Sequence, residues 1–495
     1  MHSSRNQVLA ILAVAAVALL AVALASGALF AVLPGDGPNL LADDRPDEPS
    51  TSETVGYVEG YWYDDDLPVD DRDSAALTED ELEAVVYRSM ARVEHIRGLT
   101  FQEEVPVEVL SRDEFQEEAD LFGNVTDEQR LHQNVYLEAL FLADRETPAD
   151  SEVEALYDGT VGGYYDPATN EIVLVAEDPD EPETDEIVLG HELLHALQDQ
   201  HFDLSQYDRE TIDQDAAKNG LIEGDAVWVE TEYADRCASE WDCLEPSISA
   251  GGSPAINWGL YLIVLQPYDD GPDYVDHLLE EGGWDAVDAA YDEPPASSSE
   301  IIRPGDEREP VSIDVADRSS DEWRQYEIDG AVANETLGEV GKASMFAAGA
   351  VDPARPGVVS EDAFFEGRTG VLADLDYDQP YTDGWAGDEF VTYVHEDADA
   401  TDDPLAAVEH SGFVWQSEWV SEDDAAEFVD GYEQLLEYHG AEEIEVDGGD
   451  ADVYEIDENY PGAYAITQDD ETVTIVRAPS VDDLEDVDAG AVAGE

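Results

Sequence analysis

Any fold open to this chain must leave most of its carboxylates as solvated surface groups. Its 495 residues carry 123 Asp and Glu against 20 Lys and Arg, a net charge of −103 at pH 7. A buried carboxylate without a partner is heavily penalised, so most of these groups must face solvent. The chain is nevertheless no acidic coil, because 43% of it is hydrophobic and 9% aromatic, which is enough to build a core. At molar salt the Debye length falls to about 3 Å, and distant carboxylates stop sensing one another. The composition therefore reads as salt-adapted, as does the use of Arg for all but two bases, Lys218 and Lys342. The same charge excludes nucleic acid and anionic lipid headgroups as partners, because their phosphates would be repelled.

From Val8 to Leu33 no residue is charged or strongly polar except Ser26. A helix of that length reaches beyond the ~30 Å of a bilayer core. Arg5 precedes the run and Asp36, Asp43 and Asp44 follow it, which sets the amino terminus inside and the body outside the cytoplasm. The expectation is an N-terminal membrane anchor over residues 1–35, with a cell-surface, extracellular-facing body. Cleavage near Ala23-Leu24-Ala25 and secretion is the alternative. Residues 36–76, rich in Asp, Glu, Pro and Ser, read as an acidic stalk. Length then calls for two folded units, one over 77–305 and an α+β unit over 330–495.

Thr78 and Glu81 form a capping box ahead of Leu82, Val85, Val86, Met90 and Val93, which predicts a helix. Val105 to Leu110 alternates as a strand. Residues 161–175 read as two strands joined by an Asp-Pro-x-x-Asn turn. In the carboxy-terminal region, strands at Phe390–Val394 and Phe413–Val420, a helix from Ser421 and a hairpin at 464–476 complete the α+β reading. Cys237 and Cys243, a close even pair outside the cell, predict a local disulfide. Asn124 and Asn334 begin glycosylation patterns.

The chemistry is carried by His191-Glu192-Leu193-Leu194-His195, on a helix that Thr184 can cap. Chance would produce this pattern roughly 0.02 times in such a chain. Two histidines four apart lie about 6 Å apart along a helix and 40° around it, so both imidazoles reach one Zn2+. Glu192 then sits where a base for a water is needed. A catalytic zinc uses three protein ligands, and two residues compete for the third place. His201 has a known ligand spacing but lacks the glycine turn that would bring it back, since Gln198 stands there. Glu223 lies on a second predicted helix with Glu230 one heptad on, and is the preferred ligand. Asp199 and Asp225 are candidates to orient a ligand histidine, with His201 as a further neighbour. His277, Tyr164, Tyr165 and Tyr233 remain open as oxyanion donors.

His191 to Phe202, followed by Glu223-Gly224-Asp225-Ala226, resembles secreted neutral zinc metallopeptidases of prokaryotes and related haloarchaeal surface proteins. Gly282-Gly283-Trp284, Pro294-Pro295 with Ser298 to Glu300, and Gly384 to Asp388 carry the likeness over roughly residues 80–430. The resemblance implies a zincin-like domain with Zn2+ on His191, His195 and Glu223, Glu192 as the base, and a peptide or protein substrate. Val227 departs from the thermolysin-like pattern, in which an Asp follows the third ligand by four residues. The alternative from another class is a cell-surface structural or adhesion protein that keeps a zinc site without catalysis. The sequence leaves the oligomeric state open.

Overall fold

The computed structural model describes residues 45–492, apart from 73, 119–124, 146, 158–161, 247–256, 307–309, 353–356, 366–374, 399–403, 447–448 and 450. The apolar run 8–33 and Asn124 lie outside the described residues. Among the described residues no helix is long and apolar enough to cross a membrane. The elements of the described residues make the fold mixed α+β, and the expectation of a zincin-like fold standing behind a transmembrane anchor is corrected to that coarser class.

Helix α1 (Glu79–Arg97) begins at the capping box, with Thr78 and Glu81 exchanging bonds, and ends at Gly98 in the left-handed region, φ 83°. Its buried face carries Val85, Met90 and Val93, but also Arg88 and Arg92, which converge on the buried carboxylate of Glu186. Residues 45–77, most of the segment that reads as a stalk, pack on this helix. Val58, Leu67, Val69 and Leu77 are buried in the same core, and the Gly56 amide donates to Glu94. The acidic composition hid a small set of apolar side chains that suffices to hold the segment down.

Three strands follow as a sheet: β1 (Val107–Ser111), β2 (Gly163–Asp166) and β3 (Glu171–Ala176). β3 is central, parallel to β1 and antiparallel to β2. The β2–β3 turn uses Asn170 at φ 58°, the left-handed position that asparagine tolerates. Helix α2 (Glu186–Phe202) carries the paired histidines and lies against β2. Its cap is Asp185 rather than Thr184: the Asp185 carboxylate accepts from the Ile187 and Val188 amides. Helix α3 (Ile212–Ser239), capped by Thr211, runs 28 residues and packs across α2.

α4 (Trp258–Asp269), α5 (Gly271–Gly282) and α6 (Trp284–Asp292) close around α3. The α3–α5 approach is backbone on backbone: a Cβ at Gly224 would overlap the Gly271 carbonyl. That contact fixes the height of the turn of α3 that bears Glu223.

The carboxy-terminal region is an eight-stranded sheet built around the antiparallel strands 385–395, 411–419, 472–478, 462–469 and 452–456, with the helix 422–438 against it. It does not stand apart as 330–495. Helix α7 (Gly338–Val351) is buried on nearly all sides and packs on α3 and α4, so Ile212, Leu260, Val340, Phe346, Phe390 and Trp415 share one core. A helix reading Val-Gly-Lys-Ala-Ser-Met-Phe-Ala-Ala has no polar face to turn to water, and it is covered from both sides.

Cys237 and Cys243 are joined in a disulfide, Cα–Cα 5.6 Å, at the end of α3. The Asn334 amide nitrogen, where a glycan would attach, donates to Glu389 at 2.7 Å between strands.

Candidate metal centre

α2 places His191 and His195 on one face, and α3 brings Glu223 against them. The two Nε2 atoms are 3.0 Å apart, and Glu223 Oε2 lies 3.3 Å from the first and 3.2 Å from the second. A tetrahedral ion with bonds of about 2.0–2.2 Å needs its ligand atoms roughly 3.3–3.5 Å apart, close to the triangle present. Among the described residues this is the grouping whose ligand atoms could converge on a metal ion. The donor set, two imidazoles and one carboxylate, suits zinc.

A second observation favours an ion there. Glu192 is buried beside the triangle; its Oε2 accepts from the Tyr165 amide at 2.9 Å, while its Oε1 is buried without a hydrogen-bond partner. An orphaned carboxylate oxygen is costly unless a further polar group meets it. Burial pushes the Glu192 carboxyl up to about 7 against the pull of the His191 and His195 charges. Around the triangle, burial opposes charge, yet the carboxylates prevail. His191 is raised to about 10 by Glu223 and Glu230, and Glu223 is lowered to about 2 by the histidines. The imidazoles and Glu223 thus stabilise one another as charged groups, and a divalent cation bound there would displace the histidine protons.

Glu230 is the partner of His191: its Oε2 lies 2.8 Å from His191 Nδ1. One heptad along α3 from Glu223, it reaches the far side of the ring. His195 Nδ1 lies 2.9 Å from Gln198 Oε1. Neither Asp199 nor Asp225 contacts a ligand histidine. Asp199 accepts from the Tyr165 hydroxyl and the Leu204 amide. Asp225 is held by Arg97 and the Tyr291 hydroxyl, one residue further out, behind Gln198. His201 points away, its Nε2 2.9 Å from the Thr100 carbonyl oxygen. α2 runs on through Phe202, so His201 lies a turn and a half past His195 and cannot return to the triangle.

Two of the tyrosines are spoken for. The Tyr165 hydroxyl donates to Asp199 and the Tyr233 hydroxyl to Glu186 at 2.8 Å. His277 lies against Gly305, and Tyr164 packs beside Phe115. Tyr268 of α4, which sequence reasoning missed, lies parallel to the His191 ring with centroids 6.4 Å apart and walls that side of the centre. No local pattern marks it, because its role depends on how α4 lies over α2. His195 is the ligand nearest solvent, 8% exposed against 0% for His191.

A family model described as "Domain of unknown function (DUF8575)" matches residues 324–488, which covers the sheet-bearing region and leaves the histidine pair outside. No curated protein and no solved structure matches the chain.

Proposed function

We propose that the chain is a zinc-dependent hydrolase of peptide bonds, with His191, His195 and Glu223 as the ligands and Glu192 as the general base. The observation that carries the reading is the buried, unpartnered Glu192 Oε1 beside a triangle of ligand atoms of the right size. Zn2+ held there would supply Lewis acidity toward a carbonyl and make a water easier to deprotonate. Glu192 takes that water's proton and later returns it to the leaving amine. The Tyr165 amide, bonded to Glu192 Oε2, keeps the other oxygen aimed inward. His195 is the most exposed of the three proposed ligands at 8%, so substrate would have to approach from its side. The disulfide fits an oxidising setting outside the cytoplasm, and the acidic surface fits a salty one.

The test is Glu192→Gln. The variant should bind zinc as the wild type does and lose at least a hundredfold in cleavage of unfolded protein in molar salt. Equal turnover ends the proposal. The burial of the centre favours a second reading, in which zinc only braces α2 against α3 without catalysis. That reading expects zinc removal to lower Tm sharply while no peptide is cleaved by either form.

A further inference from the structure

We infer that Gln198 is the residue that holds His195 ready for a metal, and that Tyr291 and Asp225 fix which way the Gln198 amide faces. The inference deepens the proposed zinc centre and rests on it. A glutamine amide can be turned either way, and the two orientations have opposite effects. With Oε1 toward His195, the imidazole must carry its proton on Nδ1, which leaves the Nε2 lone pair for the ion. With Nε2 toward His195, the ring would be driven to the other tautomer and its metal-facing nitrogen blocked by a proton.

The surroundings decide between them. Gln198 Nε2 is 2.9 Å from the Ile222 carbonyl oxygen, 2.9 Å from the Tyr291 hydroxyl and 3.4 Å from Asp225 Oδ2. The first and last of these accept hydrogen bonds and never donate. The Tyr291 proton is spent on Asp225 Oδ2 at 2.9 Å, so toward Gln198 the hydroxyl is an acceptor as well. An amide oxygen placed there would face three acceptors, and the Gln198 orientation is set. Asp225 is itself fixed, because Arg97 Nε is 3.0 Å from both its oxygens. Arg97 reaches on to Asp288 at 2.6 Å and lies over the Trp284 ring at 4.2 Å. A chain of contacts thus runs from α6, which bears Trp284, Asp288 and Tyr291, through α1 and α3 to His195. The two ligand histidines are backed differently: His191 by the Glu230 carboxylate, His195 by a neutral amide whose facing depends on α6.

The experiment uses the full chain in molar salt. Long-range 1H–15N correlation of the zinc-free protein, at a pH high enough for His195 to be neutral, should find it protonated on Nδ1 in the wild type and a mixture of tautomers in Gln198→Leu. Zinc affinity, read by competition with a chromophoric chelator, should fall 10–100-fold in Gln198→Leu. It should fall less in Tyr291→Phe, which keeps the ring and the other two acceptors. The electronic spectrum of the Co2+ form should shift in Gln198→Leu, whereas a purely structural role would leave it unchanged in folded protein. If wild type and Gln198→Leu share one tautomer pattern and bind zinc within twofold of each other, the positioning role is overturned while the zinc centre stands. A wild type that takes up no zinc overturns both. Should Gln198→Leu fail to fold, Gln198→Met, which keeps the length of the side chain without its amide, takes its place under the same criteria.

Discussion

At the residue scale, the proposed centre separates candidate ligands from neighbours that sequence spacing confuses. Glu223→Ala removes one corner of the triangle and should abolish stoichiometric zinc, whereas His201→Ala should leave zinc content unchanged, since that ring is bonded to the Thr100 carbonyl. Metal analysis of dialysed protein checks both. A second residue reports on pH. His95 stacks on Tyr63 with centroids 3.7 Å apart, and burial, reinforced by the Arg236 charge, pushes it down to about 4. A histidine whose folded pKa is depressed binds fewer protons folded than unfolded. Its contribution is complete above its ordinary value near 6.5 and is lost as pH falls toward 4. The stability difference between wild type and His95→Phe should therefore shift against the wild type across that window at fixed molar salt. Parallel denaturation curves would contradict this.

At the element scale, what was legible in the sequence is what short-range chemistry sets. The Thr78–Glu81 box, the Asn170 turn and the Ser421 cap of the helix 422–438 are each written within a few residues, and each is present. The helix with the paired histidines was legible for the same reason. Its cap was misread by one place because Thr184 and Asp185 both qualify chemically and only tertiary placement separates them. Asp185→Ala should cost about 0.5–2 kcal/mol and Thr184→Ala much less, measured as shifts in urea midpoint. The contacts of Glu230, Gln198 and Tyr268 with the paired histidines were not legible, because they arise where α2, α3, α4 and α6 cross. Residues 39 or more positions apart, such as His191 and Glu230, meet only through that packing. The continuity of the core through α7 was hidden likewise, since a helix apolar all round says that it is covered but not by what.

At the scale of the whole molecule, several of the few bases are spent inside. Arg88, Arg92, Arg97 and Arg477 are all buried, three of them paired with Glu186 or Asp225 and the fourth beside Glu138. Most of the 123 carboxylates nevertheless remain at the surface with few bases among them, and their self-repulsion must be screened. Thermal unfolding should move to markedly lower temperature as salt falls from molar to about 0.05 M, where the Debye length exceeds 10 Å. A Tm that ignored salt over that range would contradict a salt-adapted surface.

Both lysines of the sequence are interior: Lys218 donates to the Pro295 carbonyl, and Lys342 lies between Asp388 and the rings of Trp385 and Trp415. The folded exterior consequently offers no side-chain amine to an acylating reagent, an aldehyde crosslinker or an isopeptide-forming ligase. Only the α-amino group would react while the fold holds. Each further adduct in a mass spectrum would thus count a molecule that has opened, which makes amine labelling a direct clock for unfolding in brine, where many optical probes are hard to use.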